Sequence, residues 1–255
     1  MKAIITAAGQ SSRLWETTGR EPKTLLPFGE SSILSAILHN FAQVGIRDFV
    51  IVTGYRGDLI AQHLRDHANF GMNVHLLDNP EWHRGNGLSV LRALAYLAPE
   101  EPVILSMADH VVSPAALAAV RDAPSGLNLL LVDPRIDECF DLPDATKVRR
   151  EGDRIVDIGK DITEYDVLDC GVFRLDQRFR SALEAAVAQG REGISDGVRE
   201  LVNGPGFGTV LLPPGAAWLD QSYAYPPSSF DTLPEADCPR ARLLYTAPTP
   251  SGSDS

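Results

Sequence analysis

Through the first 110 residues, short apolar runs alternate with segments of helical periodicity, and that rhythm leaves few architectures open. Lys2-Ala3-Ile4-Ile5-Thr6 predicts a strand. Ile33, Leu34, Ile37, Leu38, Phe41 and Val44 recur at helical spacing and stop at Gly45, and residues 49–54 predict a buried strand. A helix over 58–67, a strand over 74–77, a helix over 88–97 and a strand over 102–106 follow, the last ending at Met107-Ala108-Asp109-His110. Alternation of this kind packs helices on both faces of a parallel sheet.

From Asn128 the pattern turns to strands, over 129–132, 147–149, 155–158 and 172–175, before a helix near 183–188. Glycine and proline punctuate 204–215. The fold class expected is α/β: a Rossmann-like, doubly wound, mixed and mainly parallel sheet, with an antiparallel extension on the substrate side. With 255 residues and 44% hydrophobic composition the chain can bury a full core. One domain over residues 1–235 and a proline-rich C-terminal tail over 236–255 are expected.

The formal net charge of -11 argues against a nucleic-acid-binding surface. Cys139, Cys170 and Cys238 are widely spaced without a Cys-x-x-Cys pair, which argues against a zinc site or disulfide framework. No signal peptide precedes the first strand, and no apolar run approaches the ~18 residues of a membrane span. A cytoplasmic protein without membrane insertion is expected.

The first strand runs into Ala7-Ala8-Gly9-Gln10-Ser11-Ser12-Arg13-Leu14, and then Glu21-Pro22-Lys23-Thr24-Leu25-Leu26-Pro27. A strand that breaks into small residues and opens a helix aims several backbone N–H groups at one point, which makes a phosphate site. Such a turn often only connects its neighbours. Here Gly9 permits close backbone approach, Ser11 and Ser12 supply donors, and Arg13 and Lys23 add fixed positive charge. The pattern is neither a Walker sequence nor Gly-x-Gly-x-x-Gly, so kinase and dehydrogenase readings lose their main support.

Asp109 ends an apolar run and precedes Ser113-Pro114, so it stands at the end of a strand, as a cap or as a ligand. Asp220, in Ala217-Trp218-Leu219-Asp220, ends another apolar segment. Two carboxylates from distant parts of the chain can hold one Mg²⁺, a hard ion that takes oxygen ligands. Ligands of open α/β sheets bind at the carboxyl ends of strands. The Ala7-to-Arg13 loop, the segment after Leu77 and Asp109 are therefore expected to face a common cleft. His63 and His67 lie four apart on a predicted helix; without a third ligand they read as a solvated face.

The N-terminal stretch, a small-residue loop ending in Arg-Leu and followed by Pro-Lys and Leu-Leu-Pro, resembles the signature of the sugar nucleotidyltransferase superfamily. The segments Asp78-Asn79-Pro80-Glu81-Trp82-His83-Arg84-Gly85-Asn86-Gly87-Leu88-Ser89, Met107-Ala108-Asp109-His110, Asp144-Ala145-Thr146-Lys147 and Ile158-Gly159-Lys160-Asp161 narrow it. Together they resemble the CTP:inositol-1-phosphate cytidylyltransferase family over roughly residues 1–222.

The resemblance implies a single displacement in which an acceptor phosphate attacks the α-phosphorus of CTP. It implies Arg13 on the departing pyrophosphate, Lys23 on the α-phosphate, and Asp109 with Asp220 on Mg²⁺. Ala7, Ala8 and Gly9, with the Gly85-Asn86-Gly87-Leu88-Ser89 turn, would read the base; Ser89 reads equally as the start of a helix. Lys160 matches the lysine that meets the acceptor phosphate, and Asp144, Thr146, Lys147 and Asp169 are candidates for ring hydroxyls. Lys147 reads equally as an exposed strand residue. Gln221 and Ser222 depart from the family's second acid and threonine. A downstream CDP-alcohol phosphotransferase is implied as consumer of the product. Other acceptors (a hexose 1-phosphate, phosphocholine, a phosphonate), another NTP, and a nucleotide-binding regulatory subunit are the alternatives.

Overall fold

The computed structural model describes residues 1–10, 21–28, 31–98, 102–124, 126–139 and 141–220, the last of them, Asp220, in its backbone. In chain order the elements are β1 (Lys2–Ala7), β2 (Pro27–Phe28), β3 (Ser31–Ser32), α1 (Ile33–Gln43), β4 (Asp48–Thr53), α2 (Gly57–Asp66) and β5 (Asn73–Asp78). Then come α3 (Asn86–Tyr96), β6 (Val103–Met107), β7 (His110–Val112), α4 (Pro114–Asp122), β8 (Asn128–Asp133), β9 (Lys147–Glu151) and β10 (Arg154–Gly159). The remainder are β11 (Val167–Leu175), α5 (Gln177–Ala188), α6 (Ile194–Val202), β12 (Phe207–Leu211) and β13 (Trp218–Asp220).

Nine strands form one sheet in the order β5-β4-β1-β6-β11-β8-β12-β10-β9. The β5-β4-β1-β6 half is parallel, and from β11 onward most pairings are antiparallel, β12 beside β8 being the parallel exception. The α/β class, with a mainly parallel half and an antiparallel extension, is as expected.

Alternation along β1 explains why helices cover both faces. Ala3, Ile5 and Ala7 point into a core shared with α1, α2 and α4, while Ile4 points into a second core shared with α3, α5 and α6. α1 buries Ile33, Leu34, Ile37, Leu38 and Phe41. At ~2 kcal/mol per large apolar side chain its face contributes roughly 10 kcal/mol, an upper bound. Its start is fixed by a capping box in which the Ser32 hydroxyl accepts from the Ser35 backbone, and its end by Gly45 at φ +79°.

The structure differs from the sequence reading in three places. The helix near 183–188 begins at Gln177, where the Asp176 side chain accepts from the Arg178 N–H as N-cap. α6, over Ile194–Val202, is an element the sequence pattern does not predict. A Cβ on Gly197 would lie 3.1 Å from Leu183 and Phe179, so this glycine marks close packing of α6 on α5. The glycine-rich stretch from 204 holds β12, in which a Cβ at Gly208 would lie 2.8 Å from Leu129. Among the described residues no helix is long and apolar enough to cross a membrane.

Candidate active site

The carboxyl ends of β1, β5 and β6 open onto one cavity. Its wall takes Thr6 to Gly9 from the end of β1, Lys23 and Thr24 from the following segment, Trp82, Arg84, Asn86 and Ser89 from the connection after β5, and Asp109 from the end of β6. These are the three places the strand pattern directs to one cleft. Close approach shapes this wall: a Cβ on Gly54 would run into Trp82 and lie 2.9 Å from the Ala8 carbonyl oxygen. Gly9, by contrast, has no atom of the described residues within 4 Å of where a Cβ would stand.

A second cavity lies beside the first. Asp144, Thr146, Lys160 and Asp169 line it, together with Asp141, His110, Ser195 and Trp218. Asn86, Met107 and Asp109 belong to both walls, so Asp109 stands on the ridge between the cavities.

Asp109 is held there by its neighbours. Its Oδ1 is 2.8 Å from His110 Nδ1, and the His110 ring stacks on Trp218 with 5.7 Å between centroids and 4° between planes. Burial works to raise the Asp109 pKa, but His110, as charge and hydrogen-bond partner, and the charge of Lys23 outweigh it, leaving the carboxyl at about 2. β13 pairs antiparallel with β7, Asp220 opposite His110. The backbone of Asp220 thus arrives one residue from Asp109, across more than a hundred positions of sequence.

Gly171 makes room for His110. It has φ +72°, sits in the bulge of β11 between Asp169 and Phe173, and a Cβ there would lie 2.9 Å from the His110 ring. Its N–H donates to Asp169 Oδ1 at 2.7 Å. Burial nevertheless raises the Asp169 carboxyl to about 6, against that hydrogen bond and the charge of His110.

In the second cavity Lys160 Nζ donates to Asp144 Oδ1 at 2.6 Å, and both side chains remain substantially exposed to the cleft. Lys147 is neither an exposed strand residue nor part of this lining. It is buried, and its Nζ donates to the carbonyls of Lys160 at 2.7 Å and Ala145 at 3.3 Å, tying together the two loops that carry Lys160 and Asp144.

Ser89 is buried inside α3, and its Oγ accepts from Asn79 Nδ2 at 2.9 Å. Helix initiation falls to Gly85 instead, which sits at the N-cap position. Gly85 and Gln10 are absent from the cavity lining. Ser11, Ser12, Arg13 and the side chain of Asp220 lie outside the described residues, as does the stretch 236–255. His63 is half-buried rather than solvated, its Nε2 3.0 Å from Ser32 Oγ, while His67 is exposed.

Several contributors escaped the sequence reading. Thr24, 3% exposed in the wall of the first cavity, has a hydroxyl oxygen with no hydrogen-bond partner among the described residues. A buried polar atom of this kind is normally satisfied, so the Thr24 hydroxyl is an unusual feature of a residue in this wall. Its position directly after Lys23 was the available signal. His110 could have been suspected from its place beside Asp109. Glu192, whose carboxylate meets Arg84, carried no signal.

A family model for the MobA-like NTP transferase domain matches residues 3–136, more than half of the chain and the whole parallel half with its Lys23 and Asp109 walls. The chain belongs to that family. The match describes an NTP transferase domain, and families of this kind generally use a divalent metal. A bifunctional IPC transferase and DIPP synthase of Rubrobacter xylanophilus is 32% identical over 86% of this chain; the chain spans 48% of that relative. The inositol-1-phosphate CTP transferase of T. maritima superposes with a TM-score of 0.76 at 27% identity, covering 86% of this chain and 88% of that one. A CTP:phosphoglutamine cytidylyltransferase of Campylobacter jejuni is 24% identical over 72% of this chain and 77% of its own length.

Proposed function

We propose that this NTP transferase domain joins CTP to inositol 1-phosphate, or a closely related cyclitol phosphate, giving CDP-inositol and pyrophosphate. The observation that carries the reading is the pair of cavities meeting at Asp109, with Lys23 on one side and Lys160 on the other. Likeness to the T. maritima inositol-1-phosphate CTP transferase over nearly its full length supports the choice of substrates.

In this reading the triphosphate occupies the first cavity and the acceptor phosphate the second. An oxygen of the acceptor phosphate attacks the α-phosphorus, a new P–O bond forms, and the bond to the bridging oxygen breaks, with its electron pair leaving on pyrophosphate. The acceptor is a phosphate monoester, already largely ionised near neutral pH. No side chain has to remove a proton. Lys23 draws the α-phosphate and stabilises charge that grows on it, Arg13 meets the pyrophosphate, and Lys160 draws the acceptor phosphate to the ridge. Asp144, Thr146 and Asp169 orient the ring hydroxyls, while Lys147 acts from behind by fixing the Lys160 loop.

The donor set suits Mg²⁺. Asp109 is a hard oxygen donor ionised far below neutral pH, and the Asp220 backbone arrives beside it. Bound by Asp109 and Asp220, Mg²⁺ would supply positive charge that offsets the repulsion between the two anionic substrates. A cytoplasmic site of action and consumption of CDP-inositol by a CDP-alcohol phosphotransferase complete the proposal.

Pyrophosphate release measured across the four NTPs, each with inositol 1-phosphate, glucose 1-phosphate, phosphocholine and phosphoglutamine, tests it. The expected result is Mg²⁺-dependent release with CTP and inositol 1-phosphate above all other pairs. Release with no pair, or preference for another pair, overturns the assignment.

A further inference from the structure

The turn Gly85-Asn86-Gly87 has the look of a ligand loop, yet its two glycines face protein. A Cβ at Gly87 would lie 2.6 Å from the carbonyl oxygen of Glu192, and one at Gly85 would run into the Glu192 backbone and Cβ. The close approach is used for hydrogen bonds. Gly87 N–H donates to the Glu192 carbonyl at 2.9 Å, and Gly85 N–H donates to Glu192 Oε2 at 3.2 Å. In return Asn86 Oδ1 accepts from the Ile194 N–H at 3.0 Å.

The Glu192 carboxylate does one thing more. Arg84 Nε donates to Oε1 at 3.1 Å and to Oε2 at 3.3 Å, and the Arg84 Nη2 group pairs with the same carboxylate, so the guanidinium is held side-on. Glu81 takes the other terminal nitrogen. Arg84 lines the first cavity and remains 40% exposed there.

The strap that carries Glu192 is itself fixed. At its start Arg191 N–H donates to the Ala186 carbonyl at the end of α5, and at its finish Gly193 N–H donates to Asp196 Oδ2 in the first turn of α6. The next two residues, Ile194 and Ser195, line the second cavity. One short segment therefore grips the wall of one cavity and forms the wall of the other.

We propose that Glu192 is a positioning residue: it sets Arg84 and the Gly85–Gly87 turn over the nucleotide cavity and ties them to the wall of the acceptor cavity. This rests on the nucleotidyl-transfer reading for the role of the first cavity, but not on the choice of base or acceptor. A purely structural role would give a different signature. Partly exposed ion pairs contribute little to stability, so loss of this one should leave the melting temperature within about 3 °C of wild type. A guanidinium displaced by an ångström from a reacting triphosphate, however, costs from about tenfold to a hundredfold.

The test uses the full chain with whichever of ATP, CTP, GTP and UTP the wild type binds best. E192A is expected to raise the nucleotide KM at least tenfold with a smaller change in kcat and a melting temperature within about 3 °C of wild type. E192Q, which keeps an acceptor for the Gly85 N–H and the shape of the side chain, is expected to fall between wild type and E192A. Adding E192A to R84A is expected to raise KM by much less than E192A does in the wild type, because Glu192 acts chiefly through Arg84 and only secondarily through the Gly85 N–H. An unchanged nucleotide KM in both Glu192 variants, or additive effects in the double variant, overturns the inference while leaving the functional reading intact. A wild type that binds none of the four nucleotides overturns both.

Discussion

Trp218→Phe probes the support beneath the ridge between the cavities. Trp218 Nε1 donates to Asp133 Oδ2 at 2.7 Å, and Asp133 is 2% exposed. The same carboxylate accepts from the Arg135 backbone at 2.9 Å and from the Arg135 guanidinium at 2.8 Å through two nitrogens. Phenylalanine keeps most of the buried apolar area and removes one donor. A hydrogen bond to a charged group contributes ~1.5–3 kcal/mol, and with three Arg135 contacts retained the lower part of that range applies, about 1.5–2 kcal/mol. For a chain of this size the melting temperature should fall by roughly 3–8 °C.

The effect has a pH signature. Burial works to raise the Asp133 pKa, but the hydrogen bonds from Arg135 and Trp218 overcome it and hold the carboxyl below its ordinary value. A depressed folded-state pKa gives stability that is present above the unfolded value, about 3.9, and is lost as pH falls through the folded value. The gap between wild type and W218F should therefore be full at pH 7 and shrink below about pH 4. Thermal melts followed by circular dichroism across that range measure it. A gap under about 1 °C at pH 7, or one of constant size down to pH 3, would refute the reasoning.

Gly171→Ala forces a left-handed backbone on alanine, costing ~1–2 kcal/mol, and pushes a methyl group against the His110 ring. Melting should fall by roughly 3–8 °C and turnover should fall with it as His110 moves off Asp109, read by melts and steady-state rates. Asp169→Asn removes a carboxyl raised to about 6. The native state binds the extra proton between about pH 4 and 6, so wild-type stability declines with rising pH through that window. The variant should lack this decline and gain most relative to wild type at pH 8, measured by urea denaturation at pH 4 and 8. Lys160→Ala, which removes the cation beside Asp144, should raise the acceptor KM about tenfold or more and leave the nucleotide KM near wild type, measured by varying each substrate in turn.

What the sequence revealed and what it hid follow from the range of the interactions. The end of β1 and Asp109 were legible because an apolar strand stopping at small or polar residues is a local pattern, and strands of a parallel sheet deliver such stops to one edge. β12 was hidden because the glycines from 204 onward read as punctuation, whereas Gly208, like Gly197 in α6, is small so that a leucine, Leu129 or Leu183, can pack against it. Lys147 was misread because strand alternation does not tell which carbonyls wait at the end of a lysine. The role of Gly85 and Gly87 was assigned to a ligand because the true neighbour, Glu192, lies more than a hundred residues away. The Trp218–Asp133 bond spans 85 residues and was equally invisible.

Transfer of label from α-³²P CTP to inositol 1-phosphate, compared between wild type and Asp109→Asn with Mg²⁺ present, tests most directly whether Asp109 marks the place where the two anions react. The account expects labelled CDP-inositol from the wild type and a rate lower by about 10²–10³ or more from D109N, with the melting temperature little changed. Equal rates from the two proteins, or no labelled product from the wild type, would contradict it.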